Sequence, residues 1–173
     1  MMPDILVKTE RLELRLVAES DAQSFMEIHQ HPDVIRHVLL NAPPGGLDLA
    51  WRNIAMMIGH WHLRGFGPFT VIESITGGVI GRVGFWMPGG AAAVELGWVI
   101  APPKWGQGFA TEATSAALEW LWAETTVNAI ESHIQPDNLK SINVAVKAGL
   151  RFDRTEMIRE TLHHVYLAIR PGQ

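Results

Sequence analysis

Cysteine is absent from the 173 residues. That excludes a disulfide framework, a thiolate metal site and a cysteine nucleophile. Tyrosine occurs once, so phenol chemistry has a single carrier, Tyr166. Charged residues are sparse at 18%, against 47% apolar. Mean hydropathy is +0.09, and this balance excludes an intrinsically disordered chain. No apolar run approaches the ~20 residues of a membrane-spanning helix. The formal net charge is −4, so the global basic field of a nucleic-acid binder is missing. The opening MMPDILVKTERLELR carries charges where a secretory signal has its apolar stretch. The expectation is a cytoplasmic protein with no membrane partner and no nucleic-acid partner. A weakly acidic surface suits cationic substrates such as amines.

What is present reads as one domain over residues 1–173, long enough to bury roughly 70% of its unfolded surface. Arg11 to Leu16 alternates polar and apolar, the pattern of a half-buried strand. Ser20 or Asp21 caps a short helix to about Gln30, and His31-Pro32 ends or redirects it. Asn41 to Gly46 is a Pro/Gly loop, followed by an amphipathic helix to about Leu63. Strands follow at Phe69–Glu73, Val79–Trp86 and Ala93–Ile100. Then come a helix over Thr111–Glu124, a strand over Ala129–Ile134 and a helix over Ser141–Ala148. Phe152–Arg159 and His163–Ile169 close the chain as a strand pair. This order predicts an α+β, or mixed α/β, sheet with helices on both faces. Trp51, Trp61, Trp120 and Trp122 fall at helical spacings, which suits core packing or an oligomer face.

The most informative segment is Val94 to Thr114, VELGWVIAPPKWGQGFATEAT. An apolar strand is broken by prolines, and Gly106-Gln107-Gly108-Phe109-Ala110 leads into a helix. Small residues let backbone N–H groups approach a ligand, and the helix start carries about half a positive charge. Together they make an anion site suited to pyrophosphate. No Lys-Ser/Thr follows the glycines, so this is not a P-loop. The alternative is a strand-to-helix turn that simply needs small residues.

The segment resembles motif A of the GNAT acyltransferase superfamily, Arg/Gln-x-x-Gly-x-Gly/Ala. Gly108 and Ala110 match its two small positions, and Trp105 stands where Arg or Gln is usual. The form Trp-Gly-Gln-Gly-Phe-Ala-Thr-Glu-Ala is similar to one branch, the acetyltransferases of ribosomal-protein N-termini (alanine or serine). Thr9-Glu10-Arg11-Leu12-Glu13-Leu14-Arg15 resembles that branch's opening strand. Asn138-Leu139-Lys140-Ser141 and Lys147-Ala148-Gly149-Leu150-Arg151-Phe152 resemble its motif B. The resemblance implies a GNAT-type twisted, mostly antiparallel sheet of about six or seven strands. It implies acetyl-CoA as cosubstrate, with no metal. The pantetheine arm would enter between two splayed strands and pair near Val99 and Ile100. Amides of Gln107, Gly108, Phe109, Ala110 and Thr111 would hold the pyrophosphate, and Asn138 would anchor pantetheine or backbone. It also implies an amine acceptor, either a peptide or protein N-terminus or a small molecule, and a homodimer.

Acyl transfer to an amine needs a neutral amine, a polarised thioester carbonyl and a stabilised leaving thiolate. With no cysteine and no serine in a nucleophile elbow, direct attack in a ternary complex is favoured. Glu95 is the first candidate for the base, through water, with apolar neighbours raising its pKa. The alternative is a solvent-facing strand glutamate. Ser141 is the candidate proton donor to the thiolate, or the N-cap of the last helix. Tyr166 is a weaker donor candidate. Glu112 suits helix-start stabilisation better than chemistry. The eight histidines include no His-Glu-x-x-His, so no metal site is expected. His37 is a surface histidine or a substrate contact. A non-catalytic acyl-CoA-binding module or a protein-interaction adaptor on the same fold remains as the alternative function.

Overall fold

The β-rich order of the sequence resolves into one twisted sheet in the computed structural model, which describes residues 5–40, 42–158 and 160–172. Among these, eight strands line up as β1 (Leu6–Lys8), β2 (Leu12–Leu16), β3 (Pro68–Glu73), β4 (Val79–Trp86), β5 (Val94–Ile100) and β6 (Ala129–Ile134), followed by β8 (Thr161–Ile169) and, at the outer edge, β7 (Arg151–Ile158). Every neighbouring pair is antiparallel except β5 with β6. The mixed α/β, mostly antiparallel class is therefore as expected, with one strand more than the six or seven anticipated. The addition is β1, three residues paired to β2 and too short to show a periodicity. Asn41 of the Pro/Gly loop and Arg159 at the end of the expected Phe152–Arg159 strand lie outside the described residues.

The helices are α1 (Ala22–His29), α2 (Pro32–His37), α3 (Leu47–Arg64), α4 (Phe109–Glu124) and α5 (Leu139–Lys147). His31-Pro32 opens a helix instead of merely stopping one. Proline suits the first helical position, and the His31 ring accepts from the Asp33 amide as N-cap. α3 stops at Gly65, whose left-handed φ of 73° completes its C-cap.

Strand alternation assigns the two faces. Leu14, Phe69, Val71, Val83, Phe85 and Leu96 form one apolar face under Ala113, Ala117 and Leu121 of α4. On the opposite face Phe25 of α1 packs with Ala50, Ile54 and Met57 of α3. Arg15 and Thr70 also lie on that face and clasp Asp21 at the head of α1, Arg15 with both terminal nitrogens and Thr70 through its hydroxyl at 2.6 Å. Trp61 and Trp120 pack edge to face at 5.0–5.1 Å against Phe69, as the helical spacing anticipated. Trp51 does not join them. It is half-exposed and donates its indole N–H to Glu19 at 2.9 Å.

His60 is buried, with Nδ1 2.9 Å from Phe66 O and the Met87 amide donating to Nε2 at 2.9 Å. That pattern requires the neutral ring, and burial pushes its pKa down. Burial, helped by the charge of Arg82, pushes His29 down to about 4. A depressed histidine means the unfolded chain binds more protons. Its stabilisation is complete above the unfolded value of about 6.5 and is lost as pH falls through the folded value. Denaturant midpoints are therefore expected to drop between about pH 6.5 and 4, with His29 accounting for up to about 3 kcal/mol. His29→Leu should flatten the slope, and a pH-independent midpoint over that range would refute this account.

Candidate active site

The site begins where the single parallel pair comes apart. β5 and β6 are in register only at Val94↔Ile130 and Glu95↔Glu131. Ser132 then donates its hydroxyl to Leu96 O at 2.5 Å, and the ladder stops. The outer edge of β5 stays paired with β4 as far as Ile100, and that of β6 with β8 as far as Ile134. The inner edges of both strands are thus left without strand partners beyond the junction. A V-shaped opening results, with unspent backbone donors and acceptors along it.

The loop after β5 closes the mouth of the V. Gly106 and Gly108 both take left-handed φ, 75° and 85°, which a side chain would strain. Gly108 is the N-cap of α4 and provides no side-chain acceptor, and the first helical bond runs from the Glu112 amide to Gly108 O. The amides of Phe109, Ala110 and Thr111 are therefore claimed by neither helix nor cap. This arrangement suits an anion. Arg11 holds the loop from below. It donates Nε to Glu112 at 2.7 Å and Nη1 to Gln107 O at 2.9 Å, and its guanidinium lies 4.4 Å from the Phe109 ring centroid. Thr9 donates to Glu112 at 2.6 Å. Burial works to raise the Glu112 pKa, yet these hydrogen bonds hold it below the usual glutamate range.

The opening and loop enclose a cleft of about 430 Å³. Trp98, Val99 and Ile100 form its β5 wall, Val34 and His37 of α2 a second wall, and α5 the third. Lys140 and Lys147 add two cations, while Lys104 at the rim spends its ammonium on Glu73 at 2.7 and 2.8 Å. α2 is strapped across to the turn after β6 by the Arg36–Asp137 ion pair and by His37 Nδ1, 2.8 Å from Gln135 Oε1. Trp105, the departure from motif A, is built into the wall. Its indole N–H donates to Ile100 O at 2.6 Å, His31 packs on its edge at 5.1 Å, and Lys140 Nζ lies 4.4 Å above its ring.

Most residues singled out in the sequence meet here. Val99, Ile100, Gly108, Phe109, Ala110 and Thr111 line the cleft, and so do Asn138 and Ser141. Three details differ. Ile100 O already accepts the Trp105 indole N–H, so one of its two lone pairs is spent inside the protein. Gln107 is not among the lining residues, because its side chain turns to Pro103 O and its carbonyl to Arg11. Ser141 is not the N-cap of α5: Asn138 is, its Oδ1 accepting from the Ser141 amide at 3.2 Å. The cap leaves the side-chain Nδ2 of Asn138 uncommitted, while its backbone amide donates to Gln135 O at 3.0 Å.

Glu95 sits at the closed end of the V, on the face opposite α4. Its carboxylate lies 3.4 Å from His133 Nδ1 and is 46% exposed, so polar contacts surround it rather than the apolar neighbours expected from Val94, Leu96 and Trp98. The other ring nitrogen of His133 is 3.5 Å from Glu131. Glu95 foremost, then Glu131 and Glu156, raise the His133 pKa against its burial. His133 was missed in the sequence. Its signal was its place two residues after Glu131 on an alternating strand. Tyr166 is buried in the core beside Phe152 and is not among the cleft's lining residues. Among the described residues no group of three His, Asp or Glu is placed to hold a metal, and no helix is long and apolar enough to cross a membrane.

Comparison with known proteins agrees with this geometry. The acetyltransferase (GNAT) domain family matches residues 11–151. The uncharacterized N-acetyltransferase p20 of Bacillus licheniformis is 30% identical over 156 residues, covering 88% of this chain and 84% of that protein. An acetyltransferase structure from Agrobacterium tumefaciens str. C58 superposes with a TM-score of 0.84 at 26% identity, over 97% of this chain and 96% of its own. A putative ribosomal-protein-serine acetyltransferase from Vibrio cholerae shares the fold, with a TM-score of 0.79 at 20% identity over 98% and 99% of the two chains. The splayed strands, the glycine loop and these matches lead to one statement: the chain belongs to the GNAT acetyltransferase family.

Proposed function

We propose that the protein is an acetyl-CoA-dependent N-acetyltransferase that moves acetyl to a primary amine by direct attack in a ternary complex. The carrying observation is the open V between β5 and β6, ending at the unclaimed amides of Phe109, Ala110 and Thr111. A cosubstrate with an extended amide arm and a pyrophosphate matches both parts. The arm pairs with free β5 backbone near Val99, and the pyrophosphate takes the helix start. Lys140 and Lys147 complement further phosphate charge. Asn138 offers its side-chain Nδ2 to the arm.

The acetyl carbon then lies near the closed end of the V, within reach of the Glu95 side of the sheet. Glu95 accepts a proton from the incoming ammonium through water, and His133, its pKa raised by the carboxylates, stands between Glu95 and Glu131. The amine nitrogen bonds to the acetyl carbon, the carbon–sulfur bond breaks, and the second proton of the nitrogen passes to Ser141 as the Ser141 hydroxyl gives its own to the leaving thiolate. The acceptor is a peptide or protein N-terminus or a small-molecule amine. For a homodimer the outer strand β7 offers a surface, exposed from Arg151 to Met157. The cytoplasmic assignment rests on the absence of cysteine.

Free-thiol release from acetyl-CoA tests the reading directly, since the protein contributes no thiol of its own. Release with amine acceptors is expected. Tight acetyl-CoA binding without release to any amine overturns it in favour of a binding module. Glu95→Gln should lower kcat by about 10²-fold or more with acetyl-CoA affinity retained. An unchanged kcat would remove Glu95 from the base role. Glu112→Gln should loosen the Arg11 clamp, raising the KM for acetyl-CoA several-fold while leaving the acceptor KM in place. A shift confined to the acceptor would show that the clamp does not serve the loop.

A further inference from the structure

The face of the sheet that carries Glu95 has a bare floor. Three consecutive cross-strand pairs of β4 and β5 point to this face: Arg82↔Val99, Gly84↔Gly97 and Trp86↔Glu95. The middle pair has no side chains at all. A Cβ placed on Gly97 meets nothing within 4 Å, so the space above it is open. Gly84 is glycine for a different reason, because a Cβ there would strike Gly67 O at 2.5 Å. The hollow therefore has a charged residue at each end. Arg82 and Trp86, four residues apart on β4, are separated by about 13 Å at the usual strand rise.

Arg82 has no counter-ion in contact. Its Nε is buried without a hydrogen-bond partner among the described residues, while the residue as a whole keeps some access to solvent. The acid nearest across β3 is Asp21, held to Thr70, and it is spent on Arg15, Thr70 and the Ala18 amide. Glu95 is the carboxylate whose charge reaches Arg82, but its contact is with His133, at 3.4 Å. The ring of His29, at the end of α1, is depressed by burial and by Arg82, so it remains neutral and provides no compensation. A guanidinium withdrawn from water without a carboxylate is costly. Val99, its cross-strand partner, lines the cosubstrate cleft. Arg82 itself is not a lining residue, so the cation stands one strand away from the cleft wall.

The geometry points to a zwitterionic acceptor: a small molecule or peptide end whose ammonium faces Glu95 and whose carboxylate or phosphate is received by Arg82 across the glycine floor. Arg82 is then the specificity residue for the acceptor, with Gly97 giving it room. This inference deepens the acetyltransferase reading and rests on it for turnover, but anion binding at Arg82 is measurable without turnover.

Two matched pairs of probes test it, the dipeptide Ala-Phe against its C-terminal amide and phosphoethanolamine against ethanolamine. Each pair holds the amine constant and removes the anion, and the two pairs separate carboxylate from phosphate. Acetylation and calorimetric binding in the presence of coenzyme A are both read. The anionic member of at least one pair is expected to show a KM or Kd at least about tenfold lower than its neutral partner. Arg82→Gln should abolish that difference, Arg82→Lys should restore part of it, and Gly97→Val should weaken both members by filling the hollow. Retained coenzyme A affinity confirms that each variant is folded. Anion-dependent binding without acetylation upholds Arg82 and removes the acetyltransferase reading. Equal affinity for both members of each pair, a loss in Arg82→Gln that is the same for both, or no binding of any anionic probe at millimolar concentration overturns the inference.

Discussion

Two residue pairs hold the two halves of the sheet together and make the site. A parallel junction cannot be closed by a tight turn, so the chain must cross over through a helix, here α4, between β5 and β6. The strands are in register only at Val94↔Ile130 and Glu95↔Glu131, and Ser132 ends the contact through its hydroxyl. Were the ladder to continue, the inner edges of both strands would satisfy each other and nothing could enter. The crossover also sets the start of α4 at the mouth of the gap. Cleft and anion site are thus two consequences of one connection.

That geometry must be held open, and the opening strand of the chain contributes to it. Thr9 and Arg11 reach across about a hundred residues to Glu112 and the Gln107 carbonyl. The buried face of β2, Leu12 and Leu14, packs in the same core as α4. Sequence similarity in both segments has a common physical cause, since each is half of one clamp. Glu112 therefore belongs to the scaffold of the anion site, not to its chemistry.

Local patterns carried most of the fold. Alternation marked β2, and the glycine loop marked the start of α4. What stayed hidden depended on tertiary placement. β1 is stabilised only by pairing with β2. α2 begins at a proline that is a stop signal from one side and a helix start from the other. The cleft's backbone walls were legible, because they follow from glycine and strand edges. Side-chain commitments were not. Nothing local shows that Trp105 will spend its N–H on Ile100 O, that Asn138 will cap α5 ahead of Ser141, or that His133 will stand between Glu95 and Glu131.

Charge is sorted across the sheet in a way that the net value of −4 conceals. Lys140 and Lys147 gather on the cleft. Glu95 and Glu131 lie at its closed end with His133 between them. A polyanionic cosubstrate is drawn to the first group and an ammonium to the second, so donor and acceptor approach from different directions. Arg154 on the carboxylate side is matched to Glu131, Asp153 and Glu156, whereas Arg82 has no acid in contact. An unpaired guanidinium under partial burial is destabilising by itself, and an apolar residue would pack against Val99 at lower cost. Its presence at one end of a glycine floor is accounted for once the incoming amine carries a negative charge of its own.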